Sequence, residues 1–171
     1  EELKPGCTLT LNKKNIGISS FWHLESHPHE DDLEETITNI RHLFEDGVKR
    51  QLISDVPICS LLSGGLDSSA ICAVASQEHP SISTYSVDYT GNDLYFHPND
   101  FQPDSDTPWA RKVSGFLGTK HNQVFIDTAQ LAEELYRAVS ARDLPGMADV
   151  DSSLYLFSKE IKKNATVVLS G

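Results

Sequence analysis

The sequence predicts an α/β fold, a doubly wound parallel sheet with helices on both faces. Short apolar runs of strand length alternate four times with stretches of helical period. The first such run, Ile58-Cys59-Ser60-Leu61-Leu62, is nearly continuous, as expected for a strand buried on both faces. A glycine pair, Gly64-Gly65, stands between that run and the next helix, where doubly wound folds bind phosphate.

Taken in order, residues 1–22 carry Pro5-Gly6, an apolar triplet around Leu9, Ile16-Gly17-Ile18 and Phe21-Trp22, and read as a hairpin or connector. His27-Pro28-His29-Glu30-Asp31-Asp32 is a polar break and a solvated helix entry, since consecutive loop residues rarely converge on one metal ion. Asp31 or Asp32 can cap the helix that follows. Leu33, Ile37, Ile40, Phe44, Val48 and Leu52 fall on one face of that helix, the face expected to meet the core. After the first strand, a helix is expected over 67–77 with Ala70, Ile71, Val74 and Ala75 inward, then a strand over 82–87.

Residues 88–105 read as a long irregular connection, a lid or binding loop. Tyr89, Tyr95, Phe96, Phe101 and Trp109 in and beside it either anchor it or fold over a ligand. Helix resumes near Asp106, with Pro108 suited to its first turn, and stops near Gly115 or Gly118. Val124-Phe125-Ile126 reads as a strand. Asp127 with Gln130 resembles a capping box for a helix through Ala141. A loop over 142–151, a helix over 152–162 and a strand over 166–169 complete the pattern, with Asp143, Asp149 and Asp151 read as caps and solvated loop residues.

Composition narrows the function. Apolar residues at 39% and charged residues at 23% are ordinary for a soluble globular chain. The net charge of -11 leaves no basic stripe for a nucleic acid, and no apolar run approaches the roughly 20 residues of a membrane helix. A small polar substrate fits better. Cys7, Cys59 and Cys72 are odd in number and widely spaced, which suits neither a disulfide framework nor a zinc site and agrees with a cytoplasmic setting. The opening Glu1-Glu2 lacks the layout of a signal peptide, and both ends read as cut from a longer protein.

The stretch Leu61-Leu62-Ser63-Gly64-Gly65-Leu66-Asp67-Ser68-Ser69 carries the chemistry. Glycines let the backbone turn sharply and approach an anion. N–H groups of the loop and first helical turn then point at phosphate oxygens. Ser63, Ser68 and Ser69 add hydroxyl donors. Asp67 would repel bare phosphate, which points to Mg²⁺ between it and a pyrophosphate. A lone glycine pair and one acid would more simply make a turn and a cap, but so many small and hydroxyl residues at this junction favour the phosphate reading. The pattern is neither Gly-Lys-Ser/Thr nor Gly-x-Gly-x-x-Gly.

Ser63-Gly64-Gly65-Leu66-Asp67-Ser68-Ser69 resembles the signature of the PP-loop ATP pyrophosphatases, with their adenine nucleotide α-hydrolase-like fold. Within them the chain is similar to the synthetase half of glutamine-hydrolysing asparagine synthetases. That likeness rests on Asp55-Val56-Pro57, Ser83 to Val87, Ala110-Arg111-Lys112-Val113, Leu117-Gly118-Thr119, His121, Ser158-Lys159-Glu160-Ile161-Lys162 and Val168-Leu169-Ser170-Gly171. The resemblance implies that residues 1–30 are a connector from a missing glutaminase domain. It implies that 31–171 are the N-terminal part of an ATP-binding synthetase domain, its fold incomplete at the C-terminus.

By the same resemblance, Ser63, Gly64, Gly65, Asp67, Ser68 and Ser69 would hold the pyrophosphate of ATP, with Asp67 on Mg²⁺. Leu61, Val87, Ser170 and Gly171 would line adenine and ribose. Asp106 would be an acid near the nucleotide or, equally, the N-cap of its helix. The implied reaction adenylates the β-carboxylate of aspartate, releases pyrophosphate and amidates with ammonia from glutamine. No catalytic residue is assigned. Cys7 is not terminal and reads as structural rather than as a glutaminase nucleophile. The fragment alone is expected to be inactive, and the full-length protein is open to being a homodimer.

The loop over 142–151 departs from the family pattern, with Gly146-Met147-Ala148-Asp149 where threonines and an arginine are usual. A different carboxylate acceptor, as in related amidotransferases or β-lactam-synthetase-like enzymes, therefore stays open. So do a PP-loop tRNA-modifying enzyme, which the acidity disfavours, a nonenzymatic nucleotide-binding module and a degenerate structural domain.

Overall fold

The computed structural model describes residues 2–100 and 104–171, so Phe101 lies outside the described residues. The chain divides into two compact units, 1–39 and 40–171. The division falls inside a helix.

The first unit holds an antiparallel hairpin, β1 (Cys7–Leu11) and β2 (Ile16–Ser20), in register from Cys7↔Ser20 to Leu11↔Ile16. Asn12 closes its turn by accepting the N–H groups of Lys14 and Asn15. The expected hairpin is therefore present. Helix α1 (Leu33–Gln51) opens on a reciprocal box: Asp32 Oδ1 accepts the Glu35 N–H and Glu35 Oε2 accepts the Asp32 N–H. Of the two candidate caps, Asp32 is the one used.

The expected inward face of α1 holds only at its end. Val48 and Leu52 are buried, whereas Leu33, Ile37 and Ile40 are 77%, 53% and 61% exposed and Phe44 is also exposed. A helical period shows that a face is apolar. It cannot show that a neighbour lies against every turn of it.

The second unit is built on four parallel strands, β3 (Ile58–Leu61), β4 (Ser83–Tyr89), β5 (Lys120–Ile126) and β6 (Val167–Leu169). Their order is β5-β4-β3-β6, so the strand that carries the glycine loop is internal. Five helices follow in sequence: α2 (Leu66–Glu78), the short α3 (Asn92–Tyr95), α4 (Asp106–Leu117), α5 (Thr128–Arg142) and α6 (Ala148–Ile161). Strand alternation sends Cys59, Tyr85 and Ile126 into a core with Phe157 and Ile161 of α6. Leu62 packs elsewhere, with Cys72 of α2 and Ala110 of α4. A third cluster joins Val48 and Leu52 to Val74, Ala75, Ile82 and Leu169. The expected α/β fold is what forms. No helix among the described residues is long and apolar enough to cross a membrane.

Local expectations fare unevenly. The capping box of α5 is present, with Asp127 Oδ1 accepting the Ala129 N–H and Gln130 Oε1 accepting the Asp127 N–H. Gly118, at φ 70°, ends α4. Helix α2 buries Cys72 as well as Val74 and Ala75, while Ala70 and Ile71 are only partly buried. Strand β5 begins at Lys120 rather than near Val124. Its polar first half pairs with β4 from Ser83↔Lys120 onward, and His121 finds partners on that neighbour. Helix α6 begins at Ala148, inside the stretch expected to be loop. Asp149 and Asp151 sit in its first turn, where carboxylates interact favourably with the helix dipole.

Burial raises the Cys59 thiol to about 11 and also raises that of Cys72. Cys7 is only partly buried. Iodoacetamide at pH 8 should therefore modify Cys7 alone in the native chain and all three thiols after denaturation. Mass spectrometry of the labelled peptides checks this, and native labelling of Cys59 would contradict the packing.

Candidate functional site

The last sheet bond of β3 is made by the Leu62 N–H, which donates to the Tyr85 carbonyl at 2.8 Å. Beyond it the chain turns through Ser63, Gly64 and Gly65 into α2. Gly64 has φ 90°, and a Cβ there would lie 2.5 Å from Trp109 Cβ and 2.6 Å from the Ala110 nitrogen. Only glycine suits this position, because the backbone is left-handed and α4 is pressed against it. Trp109 thus contributes its backbone and Cβ, while its ring lies 5.1 Å from Lys112 Nζ.

Hydroxyls brace the turn. Ser63 Oγ and Ser68 Oγ are 2.9 Å apart, and the Gly65 N–H donates to Ser63 Oγ at 3.3 Å. Gly65 is the N-cap of α2, and no side chain among the described residues caps that end. The Ser69 N–H donates to the Gly65 carbonyl at 3.0 Å, so the N–H groups of Leu66, Asp67 and Ser68 precede the helical ladder. Ser69 Oγ is buried without a hydrogen-bond partner among the described residues. Leaving such a hydroxyl unpaired costs about 1–3 kcal/mol. The free N–H groups of Leu66, Asp67 and Ser68, with the Ser63 and Ser68 hydroxyls beside them, fit an anion at this turn.

The other predicted residues gather around this turn. A cavity of about 130 Å³ is lined by Leu61, Leu62 and Ser63, by Tyr85, Ser86 and Val87 of β4, by Asp106 and Thr107 of α4 and by Phe157. Asp106 is not the N-cap of α4, a position that Ser105 takes; it opens the helix beside the cavity. Gly171 lies against the start of α2, where an added Cβ would be 3.2 Å from Asp67 Cβ. Ser170 is exposed at the end of β6. Leu61, Ser63, Val87 and Asp106 thus share one cavity, next to the turn that carries the remaining loop residues.

Two polar groups carry contacts that the sequence reading did not give them. Asp88 Oδ2 accepts the Thr107 hydroxyl at 2.7 Å, and its Oδ1 accepts Asn92 Nδ2 at 2.8 Å. Gln123 Nε2 donates to Thr107 Oγ1, and Arg111 Nη2 donates to Gln123 Oε1. This network ties the end of β4 to α4 and β5. The available signal was an acid closing a strand directly before an irregular stretch. The second group is His121, set between Thr84 and Ser86. Burial, with a smaller contribution from Arg111, pushes its pKa below the ordinary histidine value. Among the loop aromatics, Tyr89 is an anchor, its hydroxyl 2.8 Å from Ser153 Oγ.

The carboxylates of 142–151 divide in role. Asp143, at φ 62°, ends α5. Asp151 is not a solvated loop residue. Its side chain is 10% exposed, and its Oδ1 accepts Arg142 Nη1 at 2.6 Å.

The family model described as Asparagine synthase matches residues 39–171. The chain belongs to the asparagine synthase family. It is 47% identical, over its whole length, to asparagine synthetase [glutamine-hydrolyzing] 3 of Bacillus subtilis, of which it covers 29%. It is 30% identical to asparagine synthetase 1 of the same organism, covering 26% of that protein. Over 82% of the chain it is 31% identical to the mouse asparagine synthetase, covering 25% of that one. Among solved structures, it is similar to the NMN synthetase of Francisella tularensis, at a TM-score of 0.45 and 14% identity, over 81% of this chain and 54% of that one.

Two outcomes follow. Gly64→Ala should lower stability by about 1–3 kcal/mol, because the left-handed backbone and the α4 contact both resist a Cβ. Gly65→Ala has its nearest obstacle, Ser63 Oγ, at 3.4 Å and should change stability by about 1 kcal/mol or less. Thermal unfolding of both variants checks the contrast. Separately, a histidine held neutral in the fold loses stability as pH drops, because the unfolded chain takes up the proton first. From about pH 6.5 downward the native chain should therefore lose more stability than His121→Gln, by denaturant unfolding at pH 7.5 and 5.5.

Proposed function

We propose that the chain is the ATP-binding part of a glutamine-hydrolysing asparagine synthetase. The observation that carries this is the α2 entry: an uncapped helix start, a left-handed Gly64 and a buried, unpartnered Ser69 hydroxyl, set in a chain of the asparagine synthase family.

The N–H groups of Leu66, Asp67 and Ser68 and the hydroxyls of Ser63, Ser68 and Ser69 bind the pyrophosphate end of ATP. Gly64 and Gly65 let it approach. Leu61 and Val87 form walls for the base, with Asp106 beside them, and Ser170 and Gly171 border the ribose. Asp67 would hold Mg²⁺, which when bound supplies charge neutralisation along the phosphates. A β-carboxylate oxygen of aspartate attacks the α-phosphorus, and the bond from phosphorus to the pyrophosphate oxygen breaks. The nitrogen of ammonia then attacks the activated acyl carbon, loses a proton, and AMP leaves. The chain's own contribution is to orient the triphosphate and to offset repulsion between two anions with preorganised donors.

Calorimetric titration with ATP and Mg²⁺ tests this reading. Ser69→Ala should weaken ATP binding about tenfold without destabilising the ligand-free chain, since it removes an unpaired buried hydroxyl. Unchanged affinity in that variant would remove Ser69 from the site. Because the chain spans 29% of its Bacillus subtilis relative, we also propose that it forms no AMP by itself from ATP, aspartate and ammonia. Steady AMP release would refute that part.

A further inference from the structure

The carboxylate at the end of β4 collects donors from α3, α4 and β5. Asp88 Oδ1 accepts the Tyr89 N–H and Asn92 Nδ2, each at 2.8 Å. Its Oδ2 accepts the hydroxyl of Thr107, from the first turn of α4, at 2.7 Å. Gln123 Nε2 donates to Thr107 Oγ1 at 2.7 Å and lies 3.4 Å from Asp88 Oδ2. Arg111 Nη2 donates to Gln123 Oε1 at 2.7 Å.

The two ends give this chain of bonds one direction. A guanidinium only donates, and a carboxylate only accepts. Gln123 must therefore meet Arg111 with its oxygen, which turns its amide nitrogen to Thr107. Thr107 accepts there, and its single proton is left for Asp88. The sequence Arg111 to Gln123 to Thr107 to Asp88 has a single polarity, and the charged groups at its ends strengthen the bonds they make.

The cavity beside the glycine turn is lined by Val87, Asp106 and Thr107, the neighbours of Asp88 in sequence or in space, and not by Asp88 itself. The bond to Thr107 sets where the first turn of α4, and Asp106 with it, stands at that cavity. The contact with Gly64 falls further along α4, where Ala110 is also packed on Leu62 and Cys72. Loss of the Asp88 charge therefore loosens the first turn of α4 before it disturbs the glycine turn.

We propose that Asp88 is a positioning residue for nucleotide binding, which fixes the Asp106–Thr107 wall of the cavity without touching the ligand. The inference rests on the ATP-binding reading and deepens it.

The polarity of the network supplies the test. In Asp88→Asn an amide nitrogen replaces one carboxylate oxygen, so a donor meets donors whichever way the side chain is turned. In Gln123→Glu two carboxylate oxygens face each other across the 3.4 Å gap and compete for one Thr107 proton. The two substitutions together reverse the polarity and satisfy every member. The new amide at position 88 donates to Thr107, Thr107 donates to the new carboxylate at position 123, and Arg111 keeps its acceptor.

Each chain is titrated calorimetrically with the Mg²⁺ complexes of ATP and of inorganic tripolyphosphate, and circular dichroism at the same temperature reports the fold. Each single variant should bind ATP about tenfold more weakly than the native chain and tripolyphosphate within about twofold of it. The double variant should recover ATP affinity to within about threefold of native. A loss of stability alone would not separate the two probes. The inference is overturned, with nucleotide binding left standing, by single variants that keep native ATP affinity, by a double variant no better than the single ones, or by a parallel loss of both probes. Single variants unfolded at the titration temperature overturn it too, since Asp88 would then be structural only. A native chain that binds neither probe overturns the nucleotide reading and this inference with it.

Discussion

The close approach of Gly64 to the start of α4 is the constraint on which the site depends. With Trp109 Cβ and the Ala110 nitrogen where an ordinary side chain would begin, the turn after β3 has one path into α2. That path decides where the helix starts, which N–H groups precede its ladder and how Ser63 meets Ser68. It also sets Asp106 and Thr107, from the first turn of α4, beside the cavity that β3 and β4 open. The glycine turn and the wall of its neighbouring cavity are thus parts of one packing contact.

Much of this was legible from residue order alone. A continuous apolar run, then glycines and hydroxyls, then a helical period, identified β3, the turn and α2. Asp127 with Gln130 announced α5, because a capping box is a local arrangement of four residues. What escaped was non-local. Leu33, Ile37 and Ile40 have the spacing of a core face, and their exposure depends on what lies against the helix. The polar half of β5 did not look like a strand, because its stability comes from pairing with β4 and from the Thr84–His121–Ser86 contacts.

The same distinction holds within the site. Loop residues adjacent in sequence were identifiable as a group. Asp88, Thr107, Gln123 and Arg111 are scattered along the chain and meet only because β4, α4 and β5 are neighbours. Asp151 was misread for a similar reason: its partner, Arg142, lies across the turn between two helices, and the pair is visible only once that turn closes.

The position of β6 bears on how the molecule acquires its shape. Cys59 of β3 pairs with Val168 of β6, so one side of the central strand is completed across about a hundred residues of intervening chain. Pairings of such long separation carry a high closure entropy and form slowly. The edge of the strand bearing the glycine turn is therefore expected to pair late in folding. During that interval it is open to association with other exposed strands, and a chaperone that shields β3 would act at the step where this topology is most vulnerable.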